Sequence, residues 1–140
     1  MLLDTSAVTS LMERRETPLI DMVERLEGPL PRSRFVYGEL LHGSGADPGD
    51  PARRHTVEMY EALTEWVQHV PSRGLSRLLG QVSALGTQMG TVIGQTDRWI
   101  IAEAVDLVAD LVTCDVGQGA LASAYLRSIG DPVSVILVPG

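Results

Sequence analysis

Apolar positions recur with two spacings along these 140 residues, and both meet between Thr96 and Asp115, TDRWIIAEAVDLVADLVTCD. At 3.6 residues per turn, Ile101, Ala104, Val105 and Val108 fall on one stripe, the face a helix buries. Asp97 lies four residues before Ile101 and seven before Ala104, in the first turn of the same stripe. A carboxylate on the buried side of a helix is costly unless something pairs with it. The following run, Leu111-Val112-Thr113, is apolar and β-branched and reads as a strand. It ends in Cys114 and a second acid, Asp115.

The rest of the chain repeats this alternation. Residues 1 to 4 read as a short buried strand ending at Asp4, and Ser6 as the N-cap of a helix from Ala7 to Arg15. Pro18 opens a second helix, continuing to Glu27 with Leu19, Met22, Val23 and Leu26 on its apolar face, and Gly28-Pro29 ends it. Leu30 to Arg34 reads as a second strand and Phe35 to His42 as a helix. Glu39 lies four residues after Phe35 and three after Val36, so it shares their side. Gly43 to Pro51, GSGADPGDP, reads as a loop. Ala52 to Trp66 forms a long helix with the stripe Val57, Tyr60 (or Met59), Leu63 and Val67, and Val67 to Val70 a short strand closed by Pro71. Leu75 to Met89 is a glycine-interrupted helix carrying Leu78, Leu79, Val82 and Leu85. A last helix, Gly117 to Ser128, turns Leu121, Ala124, Tyr125 and Ile129 inward, and Gly130-Asp131-Pro132 leads into a final strand, Val133 to Val138.

Strands alternating with helices, and strands apolar throughout, predict a mainly parallel sheet covered on both faces. The carboxyl ends of such strands share one edge, where open α/β sheets place their chemistry. Asp4 and Asp115 end strands there, Asp97 enters from a helix N-terminus, and Glu39 from the helix after the second strand. Two of these acids also have a plainer reading, Asp4 as the cap of the following turn and Glu39 as a partly exposed helix residue. His42 reads as a helix-end histidine and Cys114 as a small residue at a strand end.

Charge and composition narrow the chemistry. The net charge is −7, and all eleven basic residues are arginine, so the chain is a poor general binder of nucleic acid. Four converging carboxylates repel one another and raise each other's pKa; a hard divalent cation, Mg²⁺ or Mn²⁺, resolves this with oxygen ligands. Arg98, beside the site, is a candidate phosphate contact or a solvated helix residue. The glycine loop is not a phosphate-binding GxGxxG, because Pro48 stands at its sixth position and no lysine follows. Receiver-like and haloacid-dehalogenase-like phosphotransferases also need a lysine, and the latter a second aspartate where Ser6 stands. Hydrophobic residues make up 44% of the chain, as in a globular domain. No apolar run approaches the roughly 20 residues of a membrane span. One cysteine and no basic leader before Leu2-Leu3 predict a cytoplasmic protein without an internal disulfide.

At these residues the chain resembles the PIN-domain nucleases. Leu3-Asp4-Thr5-Ser6, Gly38-Glu39-Leu40-Leu41-His42-Gly43, Asp97-x-x-Ile100-Ile101-Ala102 and Leu111-Val112-Thr113-x-Asp115 look like their four acidic motifs. The nearest subgroup is the VapC toxins of type II toxin–antitoxin pairs. The resemblance implies a single PIN domain over 1–140, a three-layer α/β/α fold with a central, mostly parallel sheet of four to five strands. It further implies a Mg²⁺- or Mn²⁺-dependent endoribonuclease with Asp4, Glu39, Asp97 and Asp115 as the metal-holding cluster. Ser6 and Thr113 match hydroxyl positions beside that cluster. An RNA substrate, a cognate antitoxin and a homodimer follow from the same resemblance, with Leu11, Met12 and Met22 as a candidate antitoxin groove. A PIN nuclease without an antitoxin, or a PIN-like binding module with a degenerate site, are the alternatives. Val116-Gly117-Gln118-Gly119 stands where many relatives carry an aromatic after the last acid.

Overall fold

The computed structural model describes residues 1–13, 18–68 and 73–138. The chain enters through β1 (Leu2–Leu3) and passes at Asp4 into α1 (Thr5–Met12). After α2 (Pro18–Glu24) and β2 (Leu30–Pro31) come two longer helices, α3 (Arg34–Ala46) and α4 (Pro51–Leu63). The second half runs β3 (Thr64–Glu65), α5 (Arg73–Gln88), α6 (Gln95–Asp106), β4 (Leu111–Thr113), α7 (Val116–Ile129) and β5 (Val135–Leu137).

Among the described residues, all five strands pair in parallel, in two ladders. In the first, β4 is central, with Leu2 opposite Leu111 and Leu3 opposite Val112 on one side and Val112 opposite Ile136 on the other. The second joins β2 to β3, Leu30 opposite Thr64. Parallel order explains why Leu2, Leu3, Leu111 and Val112 of β1 and β4 are all buried, whereas β5, at an edge of its ladder, leaves Leu137 exposed. Ile100, Ile101, Ala102 and Ala104 of α6, with Leu121 and Tyr125 of α7, complete that core.

Several boundaries differ from the periodicity, each for a local reason. Asp4, not Ser6, is the N-cap of α1, because its carboxylate accepts the Ala7 N–H at 2.7 Å. Ser6 lies inside the helix; its hydroxyl turns back to Asp4. Residues 14–15, the expected end of that helix, lie outside the described residues. Helix α2 stops at Glu24 rather than Glu27, and Gly28 turns the chain at φ 122°, a conformation that favours glycine. Helix α3 is capped by Ser33 and continues through Gly43-Ser44-Gly45-Ala46, the first part of the expected loop. Packing of α3 on α4 overrides the weak propensity of that stretch.

The strand expected at 67–70 falls earlier, at Thr64–Glu65; residues 69 and 70 lie outside the described residues. Arg32 fixes this exit from α4: its Nε donates to Thr64 Oγ1 at 2.9 Å and its Nη2 to Thr64 O at 2.7 Å and Glu61 O at 2.9 Å. Val67 is accordingly exposed rather than on a buried stripe. Val108 is also exposed, at 76%, because α6 ends at Asp106 and the Ala109 N–H returns to Ala104 O at 2.9 Å. Reversing the chain there puts Val108 at φ 52°, which costs a β-branched residue about 1–2 kcal/mol. The last strand keeps only Val135–Leu137 of the expected run. Ile129, at the final turn of α7 before Gly130 at φ 65°, is exposed, and Ala124 is half-buried.

Candidate active site

Asp4 is the best-anchored of the acids. Its backbone N–H extends the ladder by donating to Val112 O at 3.0 Å, so the carboxylate is placed by the strand. It is 1% exposed and accepts from Thr113 Oγ1 at 2.5 Å, Ser6 Oγ at 2.8 Å and the Ala7 N–H. Burial raises its pKa; the bonds from Thr113, Ala7 and Ser6 oppose that rise, and the charge of Asp115 adds to it. The two hydroxyls therefore hold the Asp4 carboxylate in place. They also reach the next turn: Ser6 Oγ accepts the Cys114 N–H at 2.9 Å and Thr113 Oγ1 the Asp115 N–H at 3.0 Å.

Asp115 follows β4 and caps α7, accepting the Gln118 N–H at 2.8 Å. Asp97 stands in the first turn of α6, half-buried rather than sealed on the apolar stripe. Glu39 projects from α3 and accepts the Thr5 hydroxyl. Four elements thus send one acid each to the carboxyl edge of the sheet. Their mutual influence is visible at Asp97, whose pKa is raised first by burial and then by the charges of Glu39, Asp4 and Asp115, against one backbone bond from Gly94. Among the described residues, no three His, Cys, Asp or Glu side chains are grouped so as to hold a metal ion. The four acids share an electrostatic neighbourhood without forming a closed cage.

Arg98 is not at this site. Its guanidinium turns into the α5–α6 junction, donating to Ser83 O at 2.9 Å, Thr91 O at 3.2 Å and Thr87 Oγ1 at 3.3 Å. His42 sits within α3 rather than at its end and is exposed. Cys114 is half-buried at its strand end, and burial raises the thiol pKa, which suits an inert residue.

Three supporting residues were not evident from sequence. Thr5 orients Glu39; its proximity to Asp4 is the only signal it carries. Gln118, buried on α7, donates to Asp97 O at 3.1 Å and so ties α7 to α6. Glu103, buried on α6, accepts the Ser33 hydroxyl and both the N–H and Nε of Arg34 at 3.1 Å. It clamps the start of α3, which carries Glu39, to α6, which carries Asp97.

A parallel α/β fold with acids from strand ends and two helices gathered at one edge is the architecture of a PIN domain. No family model matches the chain. Ribonuclease VapC1 of Haemophilus influenzae strains R2866 and 86-028NP is 30% identical over 123 residues, covering 84% of this chain and 87% of the relative. The structure of VapBC-1 from nontypeable Haemophilus influenzae is 26% identical, with a TM-score of 0.67 over 96% of this chain and 95% of its counterpart. VapBC2 from Rickettsia felis, bound to a DNA fragment from its promoter, shares the fold with a TM-score of 0.70 at 18% identity over 97% and 96% of the two chains. The chain belongs to the VapC family of PIN-domain ribonucleases.

Proposed function

We propose that this protein is a Mg²⁺- or Mn²⁺-dependent endoribonuclease, the toxin of a toxin–antitoxin pair, hydrolysing RNA phosphodiester bonds at Asp4, Glu39, Asp97 and Asp115. The observation that carries the reading is the state of Asp97, pushed toward protonation first by burial and then by the charges of Glu39, Asp4 and Asp115 from three other elements. Structural acids are normally paired; these have hydroxyl and amide donors but no basic side chain among the bonds described. An all-oxygen, uncompensated donor set suits a hard cation by its chemistry. Bound among these acids, such a cation supplies Lewis-acid stabilisation of an in-line phosphoryl transition state and activates water.

The protein's own residues supply position. Asp4 and Asp97 would hold the principal ion, with Glu39 and Asp115 completing the cluster directly or through water. Ser6 and Thr113 keep the Asp4 carboxylate fixed, Thr5 does the same for Glu39, and Gln118 anchors the turn that carries Asp97. Fixed ligands avoid reorganisation as charge develops on the phosphate.

The VapBC-1 and VapBC2 structures pair a family member with VapB, and an antitoxin is the partner we infer here. A groove of about 220 Å³ between α1, α2 and α4, lined by Leu11, Met12, Ile20, Val23, Met59 and Leu63, suits an apolar antitoxin segment. Met22, expected in that groove, does not line it; like Leu11 and Met12 it packs against the core. A homodimer remains part of the family reading.

RNA cleavage by the purified protein with Mg²⁺ or Mn²⁺, beside Asp4→Asn and Asp97→Asn, tests the activity. Wild type should cut and both variants fail, and metal should raise the Tm of wild type alone. A wild type that neither cuts nor responds to metal would leave a PIN-like binding module.

A further inference from the structure

Glu39 belongs to two neighbourhoods. It acts on Asp97 within the acidic cluster, and it lines a cleft of about 590 Å³ between α3 and α6. Phe35, Gly38 and His42 of α3 face Thr96 and Trp99 of α6 across that cleft, with Arg34 at the start of α3. The whole chain has one phenylalanine and two tryptophans, and one of each meets here. Their ring centroids are 5.5 Å apart at 47°, and both rings are only partly buried. A pair serving the core alone would be sealed, as Tyr60 and Tyr125 are.

The remaining lining suits a nucleotide. Arg34 gives its Nε to Glu103, yet its side chain is 39% exposed, and the His42 imidazole is exposed nearby. Between the rings and these polar side chains, Gly38 leaves the floor open: a Cβ added there would meet nothing within 4 Å. A chain of net charge −7 gains little from bulk attraction to phosphate. Stacking on aromatic rings is the contact with single-stranded RNA that works without net positive charge.

We propose that this cleft is a nucleobase subsite, in which an unstacked base flanking the scissile phosphate stacks on Trp99 beside Phe35, while Arg34 and His42 contact the adjoining backbone. The assignment rests on the ribonuclease reading and adds to it where the RNA lies: across α3, past Glu39. The cleft then serves as the part of the enzyme that selects an unpaired nucleotide.

The test uses the full chain with Trp66→Phe, leaving Trp99 as the sole indole, and a short phosphorothioate single-stranded RNA with Mg²⁺. Binding is read by anisotropy of the labelled RNA and stacking by quenching of Trp99 emission, with an abasic strand of equal length as control. RNA should quench Trp99 and the abasic strand should not. Trp99→Ala should weaken RNA binding about tenfold, and Trp99→Phe much less. Gly38→Leu should weaken binding as well, although it removes no contact and replaces a poor helix former by a good one. A melting temperature for Gly38→Leu at or above wild type would show that lost binding is not lost folding. RNA that binds without quenching Trp99, equal quenching by the abasic strand, or unchanged affinity in Gly38→Leu would each overturn the subsite while sparing the ribonuclease reading. No binding of RNA to wild type would overturn both.

Discussion

Replacing Glu103 by alanine removes a carboxylate that is 1% exposed and joins α6 to the start of α3. The Ser33 hydroxyl donates to it and in turn accepts the Val36 N–H at 3.1 Å as the cap of α3. The Arg34 backbone N–H and Nε supply two further donors, each at 3.1 Å. Hydrogen bonds to a charged acceptor contribute about 1.5–3 kcal/mol each, and donors left buried without partners cost about 1–3 kcal/mol. These terms overlap, since Ser33 is fully buried but Arg34 can turn to water. The expected loss for Glu103→Ala is about 3–5 kcal/mol, the range for breaking a buried ionic group from its partners.

The companion variants separate the contributions. Arg34→Ala removes only the Nε bond, from a side chain 39% exposed, so screening limits its cost to about 0.5–1 kcal/mol. Glu103→Gln keeps one carbonyl oxygen for Arg34 and turns its amide toward Ser33, costing about 1–2 kcal/mol. Urea unfolding at fixed ionic strength, with m-values checked for constancy, reads all three. An Arg34→Ala loss equal to that of Glu103→Ala would mean that an ordinary ion pair holds the junction. A Glu103→Ala loss under about 1 kcal/mol would mean that nothing there does.

The folded-state pKa values of Asp4 and Asp97 lie above the ordinary carboxylate value of 3.8, chiefly through burial. The fold therefore binds their protons more tightly than the unfolded chain does. Their contribution to stability is full below that ordinary value and is lost as pH rises through the raised ones. In chelator, thermal melts should show wild type losing ground to Asp4→Asn as pH rises toward neutrality, and parallel curves would contradict the assignment. Thr113→Val removes the 2.5 Å donor to Asp4 and the acceptor for the Asp115 N–H, at a cost of about 1–2 kcal/mol. Asp4 should then be harder to ionise, so the rise in Tm on adding Mg²⁺ should shrink; an unchanged rise would remove Thr113 from the site. Arg98→Met should lower stability by about 1–2 kcal/mol through its lost carbonyl contacts while leaving kcat near wild type in the RNA cleavage assay. A large fall in kcat without destabilisation would return Arg98 to the phosphate.

The four acids proposed for the site were visible in sequence because each breaks a pattern: Asp4 and Asp115 end apolar runs, and Asp97 and Glu39 interrupt apolar helix faces. Glu103 breaks the pattern of α6 just as plainly, yet its role was not legible. Its partners are on a segment about seventy residues away (|i−j| of 70 for Ser33), and periodicity carries no information about which helix lies opposite. The same holds for Arg98, whose destination is set by the carbonyls of α5 and the turn after it. Boundaries failed where tertiary contacts outweigh propensity. Two glycines did not stop α3, and an arginine from β2's exit, not a breaker residue, placed β3.

The position of the acids on their elements explains how the fold tolerates them before any cation binds. Asp4 and Asp115 are the N-caps of α1 and α7, and Asp97 lies in the first turn of α6. Each carboxylate therefore sits at the positive end of a helix dipole, worth about 0.3–1 kcal/mol apiece when partly exposed. Glu39, in mid-helix, has no such help; it takes a hydroxyl from another element, Thr5, as Asp4 takes one from Thr113. Had the fold used basic side chains instead, a cation would need to displace them. Here Arg34 is turned to Glu103 and Arg98 to the α5–α6 junction, and the acids are stabilised by dipoles and hydroxyls that can remain in place. A divalent ion held there, as proposed above, would relieve the repulsion at Asp97 without breaking an ion pair. That arrangement ties metal response to folding stability, and it makes the Tm measurements on Asp4→Asn, Asp97→Asn and Thr113→Val tests of one electrostatic account rather than of three separate residues.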